Sequence, residues 1–235
     1  MFHVKRHDAL LARAAQIGVT VSAPQADAML AVLDAMHDEP QNLSSPTAMA
    51  NAIDVHLADS LSGLVLPEIA DAPSITDLGS GGGFPGLVLA IMLPDTPVTL
   101  VESEGRKADW LARASAGMRN VRVVADRSES LARAERGMHP VVTARALGSL
   151  PVVMELAAPL LAPDGVLVAW RGRTDSPSER GGAAAAAELG FIHRADVDAT
   201  PIPGVSRYFS LWKKQGKTPD RYPRRSGMAA KRPIA

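Results

Sequence analysis

The chain has no cysteine, so no disulfide framework, thiolate metal site or thiol nucleophile is available to it. A reducing compartment is the expected home. Aromatic residues are scarce at 4%, and the only tyrosines are Tyr208 and Tyr222. No stretch approaches the roughly 18 uninterrupted apolar residues of a membrane span. The opening Met1-Phe2-His3-Val4-Lys5-Arg6-His7-Asp8 also lacks the apolar run of a signal peptide. A cytoplasmic protein without membrane association is expected. Net charge is missing as well, since 25 basic residues balance 25 acidic ones. That balance argues against non-specific coating of nucleic acid, which depends on a large positive excess.

What is present is enough apolar material, 46% of 235 residues, to bury one full core. The zero net charge hides an asymmetry. Residues 213–235 hold eight Lys or Arg against the single acid Asp220, leaving 17 basic and 24 acidic residues in 1–212. Such a tail fits RNA binding or a solvated terminus equally well. Three parts are expected: a helical N-terminal cap over 1–70, a main α/β domain over 71–213 and a basic C-terminal tail over 214–235.

In the cap, Leu10, Leu11, Ala14 and Ile17 recur at helical spacing, as do Met29, Leu30, Val32, Leu33 and Met36 after a turn at Val21-Ser22-Ala23-Pro24. A third helix is predicted from Ser45-Pro46-Thr47, carrying Met49, Ile53, Leu57 and Leu61 inward. From Ile75 the texture changes to short apolar runs between helical segments, the signature of a parallel sheet covered on both faces. Strands are predicted at 75–78, 98–102, 121–125, 141–143, 166–170, 191–197 and 208–213, with helices at 86–92, 106–118, 150–161 and 178–189.

A ligand of such a sheet lies beyond the carboxyl ends of the strands, where strand order reverses. Four consecutive predicted strands end in groups suited to one. The first runs into Asp77 and the loop Gly79-Ser80-Gly81-Gly82-Gly83-Phe84-Pro85-Gly86, five glycines in eight positions. Glycines there allow close approach of a ligand to the backbone, and Pro85 suits the first helical turn. The second ends in Glu102, whose carboxylate can take both ribose hydroxyls. The third leads into Asp126-Arg127-Ser128-Glu129, where an adenine amine could be met; a helix N-cap by Asp126 or Ser128 explains that segment too. The fourth ends in Arg145, which suits a cofactor carboxylate, an RNA phosphate or a structural ion pair. Gly81, Gly83 and Gly86 also satisfy dinucleotide spacing, so residues 77–86 alone leave the nucleotide class open.

Together, Asp77 to Gly86, Leu100-Val101-Glu102-Ser103 with Arg106-Lys107 and Trp110-Leu111, Thr143-Ala144-Arg145-Ala146 and His56-Leu57-Ala58-Asp59-Ser60-Leu61 resemble one family. It is the bacterial 16S ribosomal RNA guanine-N7 methyltransferase family, also called glucose-inhibited division protein B. Asn42-Leu43-Ser44 resembles its Asn-Leu-Thr, and Tyr222-Pro223-Arg224-Arg225 with Lys231-Arg232-Pro233 resembles its basic ending. The resemblance implies a Rossmann-like, seven-stranded S-adenosylmethionine-dependent methyltransferase fold with a helical N-terminal cap. It implies S-adenosylmethionine as cofactor and, as acceptor, a guanine in the 530 loop of 16S ribosomal RNA, free or within a small-subunit precursor. Gly79, Phe84, Ser128, Glu129 and Arg145 are the cofactor-binding candidates carried over, with Glu102 on the ribose, and the glycine loop itself adds Gly81 to them. The chain departs from the family at Asp38-Glu39, at Val55 before the histidine and at Arg171-Gly172-Arg173.

Guanine N7 offers a free lone pair, so no catalytic base and no metal are expected. His56 and Asp59 are expected to be a buried hydrogen-bonded pair tying cap to sheet, and the protein is expected to act as a monomer. Two other functions fit parts of the pattern. An NAD-dependent oxidoreductase would share the glycine spacing, although no Tyr-x-x-x-Lys pair accompanies it. A non-catalytic RNA-binding assembly protein would share the fold. The basic tail is expected to serve RNA, with little effect on cofactor affinity.

Overall fold

The computed structural model describes residues 2–172, 181–199 and 207–235. Arg173 and the start of the helix expected at 178–189 lie outside them.

The cap opens with α1 (Phe2–Ile17) and α2 (Ala23–His37). Ser22 starts α2 as its N-cap: its hydroxyl accepts from the Gln25 backbone while the Gln25 side chain accepts from the Ser22 N–H. Two orphan donors are thereby satisfied. Ala26, Met29, Leu30, Leu33 and Met36 form the buried stripe of this helix. The expected third helix is divided. It begins as α3 (Pro46–Ala50) behind the Ser45 cap, widens into a π-helical turn over Ile53–Ala58 and resumes as α4 (Asp59–Leu61). Leu57 and Leu61 are buried as expected, whereas Met49 and Ile53 are half-buried. A short α5 (Pro67–Ala70) leads into the sheet.

The strands are β1 (Ile75–Leu78), β2 (Val98–Val101), β3 (Val121–Val124), β4 (His139–Arg145), β5 (Leu161–Arg171), β6 (Phe191–Asp198) and β7 (Tyr208–Lys214). They form one sheet in the order β3-β2-β1-β4-β5-β7-β6, with β7 antiparallel to both its neighbours. The order reverses at β1, which lies between β2 and β4. The loops after these strands therefore face one crevice. The connecting helices are α6 (Gly86–Met92), α7 (Gly105–Ala114), α8 (Ser128–Ala134), α9 (Leu150–Ala157) and α10 (Gly182–Leu189), and the chain closes with α11 (Met228–Lys231).

Alternation along the strands divides the apolar residues between two cores. Val168 and Trp170 of β5 join a core with the cap, α6 and α7, whereas Leu167 and Ala169 join the other with α8, α9, α10 and α11. Trp170 is 1% exposed, sets its ring edge-on to Phe209 and donates from Nε1 to the Asp59 carbonyl at 2.9 Å. A Cβ on Gly63 would stand 2.5 Å from this indole. The cap is thus seated on the sheet and shares its core. Among the described residues no helix is long and apolar enough to cross a membrane.

Candidate functional site

The loop between β1 and α6 turns sharply. Gly79 and Ser80 both donate backbone N–H groups to the Val101 carbonyl on β2, and Ser80 Oγ donates to the Asp77 carbonyl at 2.9 Å. Trp110 of α7 pins the loop from the side, donating to the Gly82 carbonyl at 3.2 Å. Pro85 takes the cap position, one residue before the helix.

The glycines of this loop serve different ends. A Cβ on Gly86 would come 2.2 Å from Leu100, so α6 can lie close to the sheet only without one. Gly81 has φ +54, and the nearest atom to a Cβ there would be the Gly79 carbonyl oxygen at 3.7 Å. Packing does not demand a glycine at 81. The backbone is left-handed and open above, as a closely approaching ligand requires.

Glu102 follows β2 and is 8% exposed. Its Oε2 accepts from Gly81 N–H at 2.9 Å and its Oε1 from Glu104 N–H at 2.8 Å. Each oxygen keeps a second lone pair for an incoming hydroxyl. Beside it, Asp77 is wholly buried and accepts from Thr143 Oγ1 at 2.8 Å across the β1–β4 pairing. Burial raises its carboxyl to about 6, against the lowering effect of the Thr143 hydrogen bond.

A cavity of about 170 Å³ adjoins the loop, with Gly79, Ser128, Glu129 and Leu147 among its walls. Leu147 is aimed there by Ala146, whose φ of +56 is left-handed and costs about 1–2 kcal/mol for a residue with a Cβ. Its Cδ1 lies 2.5 Å from where a Cβ of Gly79 would stand. Neither Asp126 nor Ser128 caps α8. Arg127 holds the cap position without a side-chain bond, and Asp126 accepts from the neighbouring Arg127 N–H. The rival account of this segment thus fails, and Ser128 remains nine-tenths buried on the cavity wall, its hydroxyl without a hydrogen bond among the described residues.

Phe84 and Arg145 form a separate cluster. The Arg145 guanidinium lies 5.7 Å from the Phe84 ring centroid, and the His56 ring stacks on Phe84 at 4.8 Å. Arg145 Nη1 donates to Asp59 Oδ2 at 2.7 Å and to the Val55 carbonyl at 2.8 Å. Arg207 donates to the same carboxylate, from Nε to Oδ1 at 2.7 Å. Of the three uses expected for Arg145, the described atoms carry the structural ion pair. His56 and Asp59 do tie the cap to the sheet, but through Arg145 rather than through each other. A guanidinium only donates, so the Arg145 contact at 3.4 Å makes His56 Nδ1 an acceptor; Nε2–H then donates to Ser44 Oγ at 2.7 Å. Burial foremost, then the Arg145 charge, lowers this imidazole to about 4.

Sequence reasoning missed Arg207, Thr143 and Leu147, whose roles rest on residues far away in the chain. Two family departures also acquire reasons. Glu39 accepts from Arg113 of α7 at 2.8 Å, and Arg171 is buried and donates to the Gly148 carbonyl at 2.8 Å. The Val55 departure leaves intact a contact made by its backbone.

A family model described as rRNA small subunit methyltransferase G matches residues 25–194. The ribosomal RNA small subunit methyltransferase G of Rubrobacter xylanophilus is 40% identical over 187 residues, covering 76% of this chain and 72% of its own. Its namesake in Deinococcus deserti is 36% identical over 233 residues, covering 96% and 95%. Among solved structures, Methanococcus jannaschii fibrillarin aligns with a TM-score of 0.55 at 18% identity, over 68% of this chain and 75% of that one. Aeropyrum pernix fibrillarin, with natively bound S-adenosyl-L-methionine, gives 0.54 at 15%, over 66% and 73%. At these identities the two structures bear on the fold alone.

Proposed function

As this chain belongs to the rRNA small subunit methyltransferase G family, we propose that it methylates N7 of a guanine in the 530 loop of 16S ribosomal RNA. The methyl donor is S-adenosylmethionine. The observation that carries the reading is the Glu102 carboxylate bonded to Gly81 N–H, under an open, left-handed backbone where strand order reverses. The residues present fit the cofactor: Glu102 has lone pairs for two ribose hydroxyls, and the unpaired Ser128 hydroxyl with Glu129 suits an adenine edge. The dinucleotide reading is weaker on this sheet. The dinucleotide fold runs 3-2-1-4-5-6, whereas β7 is inserted here in reverse between β5 and β6.

When bound, S-adenosylmethionine supplies an electrophilic methyl on a positively charged sulfur. The chain's contribution is position. Gly79 and Gly81 let the backbone come close, Glu102 fixes the ribose, and the Phe84–Arg145–His56 cluster stiffens the far side of the loop. His56, held neutral with its Nδ1 facing a guanidinium, is not placed to remove a proton. None need be removed, because N7 attacks through a lone pair; alignment of the two reactants can supply roughly 7–11 kcal/mol. The acceptor is 16S RNA or its precursor particle and the protein acts as a monomer. In support of an RNA acceptor, Arg127, Arg225, Lys231 and Arg232 are exposed and make no ion pair among the described residues.

The test is methyl transfer from labelled cofactor to small-subunit RNA or particles. N7 methylation leaves the guanine cationic and open to reduction followed by amine-induced strand cleavage, so a single break in the 530 loop is expected. Label at a carbon or ribose hydroxyl, with an intact strand, would overturn the acceptor assignment; no incorporation would favour a non-catalytic assembly role.

A further inference from the structure

The basic C-terminal segment is part of the folded body. Arg136 donates to the Thr218 and Tyr222 carbonyls, the Tyr222 hydroxyl meets Glu188 of α10, and Arg224 forms a two-pronged pair with Glu155, which is 2% exposed on α9. Ala229 is buried in the core that holds α9. Farther on, the Ile234 carbonyl lies so near Gly181 that a Cβ there would stand 2.6 Å from it. Between these anchors the chain passes the cavity beside the glycine loop. Gly227, Ala229 and Ala230 form a wall of it, with Gly79, Ser128 and Leu147 also lining it.

One further bond fixes the wall. Gly227 N–H donates to Glu129 Oε1 at 2.9 Å across 98 positions of sequence. Glu129 is therefore not wholly free for a ligand: one oxygen holds the chain's own C-terminus, and Oε2 has no hydrogen bond among the described residues. The neighbouring Ser128, a largely buried residue, lines the same cavity, and its hydroxyl has no hydrogen bond among the described residues. Small side chains at 227, 229 and 230 leave a low apolar surface against which a planar heterocycle can lie, with two polar groups at its edge.

We propose that Gly227–Ala230 is a wall of the adenine subsite and that Glu129 is a positioning residue, holding that wall through Gly227. The proposal rests on the reading that this crevice takes S-adenosylmethionine, and it assigns the C-terminus to cofactor binding instead of RNA alone. The wall and an adenine amine share one carboxylate. Ligand binding then steadies the segment, and by reciprocity the segment strengthens ligand binding.

The test is calorimetric titration of S-adenosylmethionine, methylthioadenosine and methionine into the full chain and four variants. These are a truncation after Ser226, Ala230→Trp, which fills the cavity from an exposed position, and the pair Glu129→Ala and Glu129→Gln taken together. Truncation and Ala230→Trp are each expected to weaken both adenosine-containing ligands by at least about tenfold, the loss of one or two good contacts. Glu129→Ala should do likewise, and Glu129→Gln, whose single oxygen can still accept from Gly227 N–H while its NH2 faces the adenine amine, should recover only the part of the affinity that the wall supplies. Circular dichroism of the Ala230→Trp chain checks that it is folded. Binding by the full chain with equal affinity in the truncated and Trp variants would overturn the wall. Failure of the full chain to bind any adenosine ligand would instead overturn the reading of the crevice.

Discussion

The Asp59 carboxylate is fully buried and meets the Arg145 guanidinium at 2.7 Å, joining the cap to the end of β4. The same carboxylate holds Arg207 at 2.7 Å, so one acid answers two cations. Removing the acid leaves two arginines facing each other beside the glycine loop. Asp59→Ala is expected to destabilise the fold by about 3–5 kcal/mol, the usual cost of breaking a buried ion pair from one side. Urea unfolding at neutral pH measures it, and a loss below about 1 kcal/mol would mean that the cluster relaxes without consequence.

His56 predicts an acid sensitivity. Its native pKa of about 4 lies below the unfolded value of 6.5. The unfolded chain therefore binds a proton in this window and the native chain does not, so stability is lost as pH falls from 6.5 towards 4. Between pH 7 and pH 5 the loss from this residue is roughly 1–2 kcal/mol. His56→Gln should shrink the difference in unfolding free energy between those two pH values by that amount. Asp77, raised to about 6, acts in the opposite sense but is common to both proteins. An unchanged pH dependence in the variant would show that His56 titrates normally.

The glycine loop and Glu102 make separable contributions to cofactor binding. Gly81→Val puts a branched side chain at φ +54 into the open space above the loop and should abolish S-adenosylmethionine binding. Glu102→Ala should cost about 1–3 kcal/mol through lost hydrogen bonds. Calorimetry giving wild-type affinity for both would remove the crevice from consideration.

For RNA, the charges that matter are those not already paired. Arg221, Arg224, Lys213 and Lys217 each meet a carboxylate. The triple substitution of Arg225, Lys231 and Arg232 by alanine should flatten the salt dependence of RNA binding by roughly two to three units of slope, if each neutralises about one phosphate. Filter binding over a range of salt concentrations reads the slope directly. A slope equal to wild type would place the RNA on another face.

Local sequence determined the elements and much of the crevice. The predicted helix at 86–92 and the strand at 75–78 match their observed bounds. Gly81, Glu102, Ser128 and Glu129 fall at strand ends, where a parallel sheet gathers them. These features depend on spacing within a few residues, which periodicity records. Boundaries set by distant partners were not legible. The strand predicted at 166–170 starts after Pro163-Asp164-Gly165, yet β5 runs through that tripeptide from Leu161, because Leu161 pairs with His139 and an irregularity between His139 and Val141 absorbs the mismatch. The helix expected to reach Met118 stops at Ala114, where Ser115 turns its hydroxyl back on the Leu111 carbonyl. Only the tertiary structure decided which charges are spent. Arg145 could answer a cofactor, a phosphate or a carboxylate until the fold carried Asp59 to it from 86 positions away. The basic tail could be solvated or bound until Glu155 and Glu129 took hold of it. A side chain's type limits the bonds it can form, but which partner it meets depends on chain paths that no local pattern encodes.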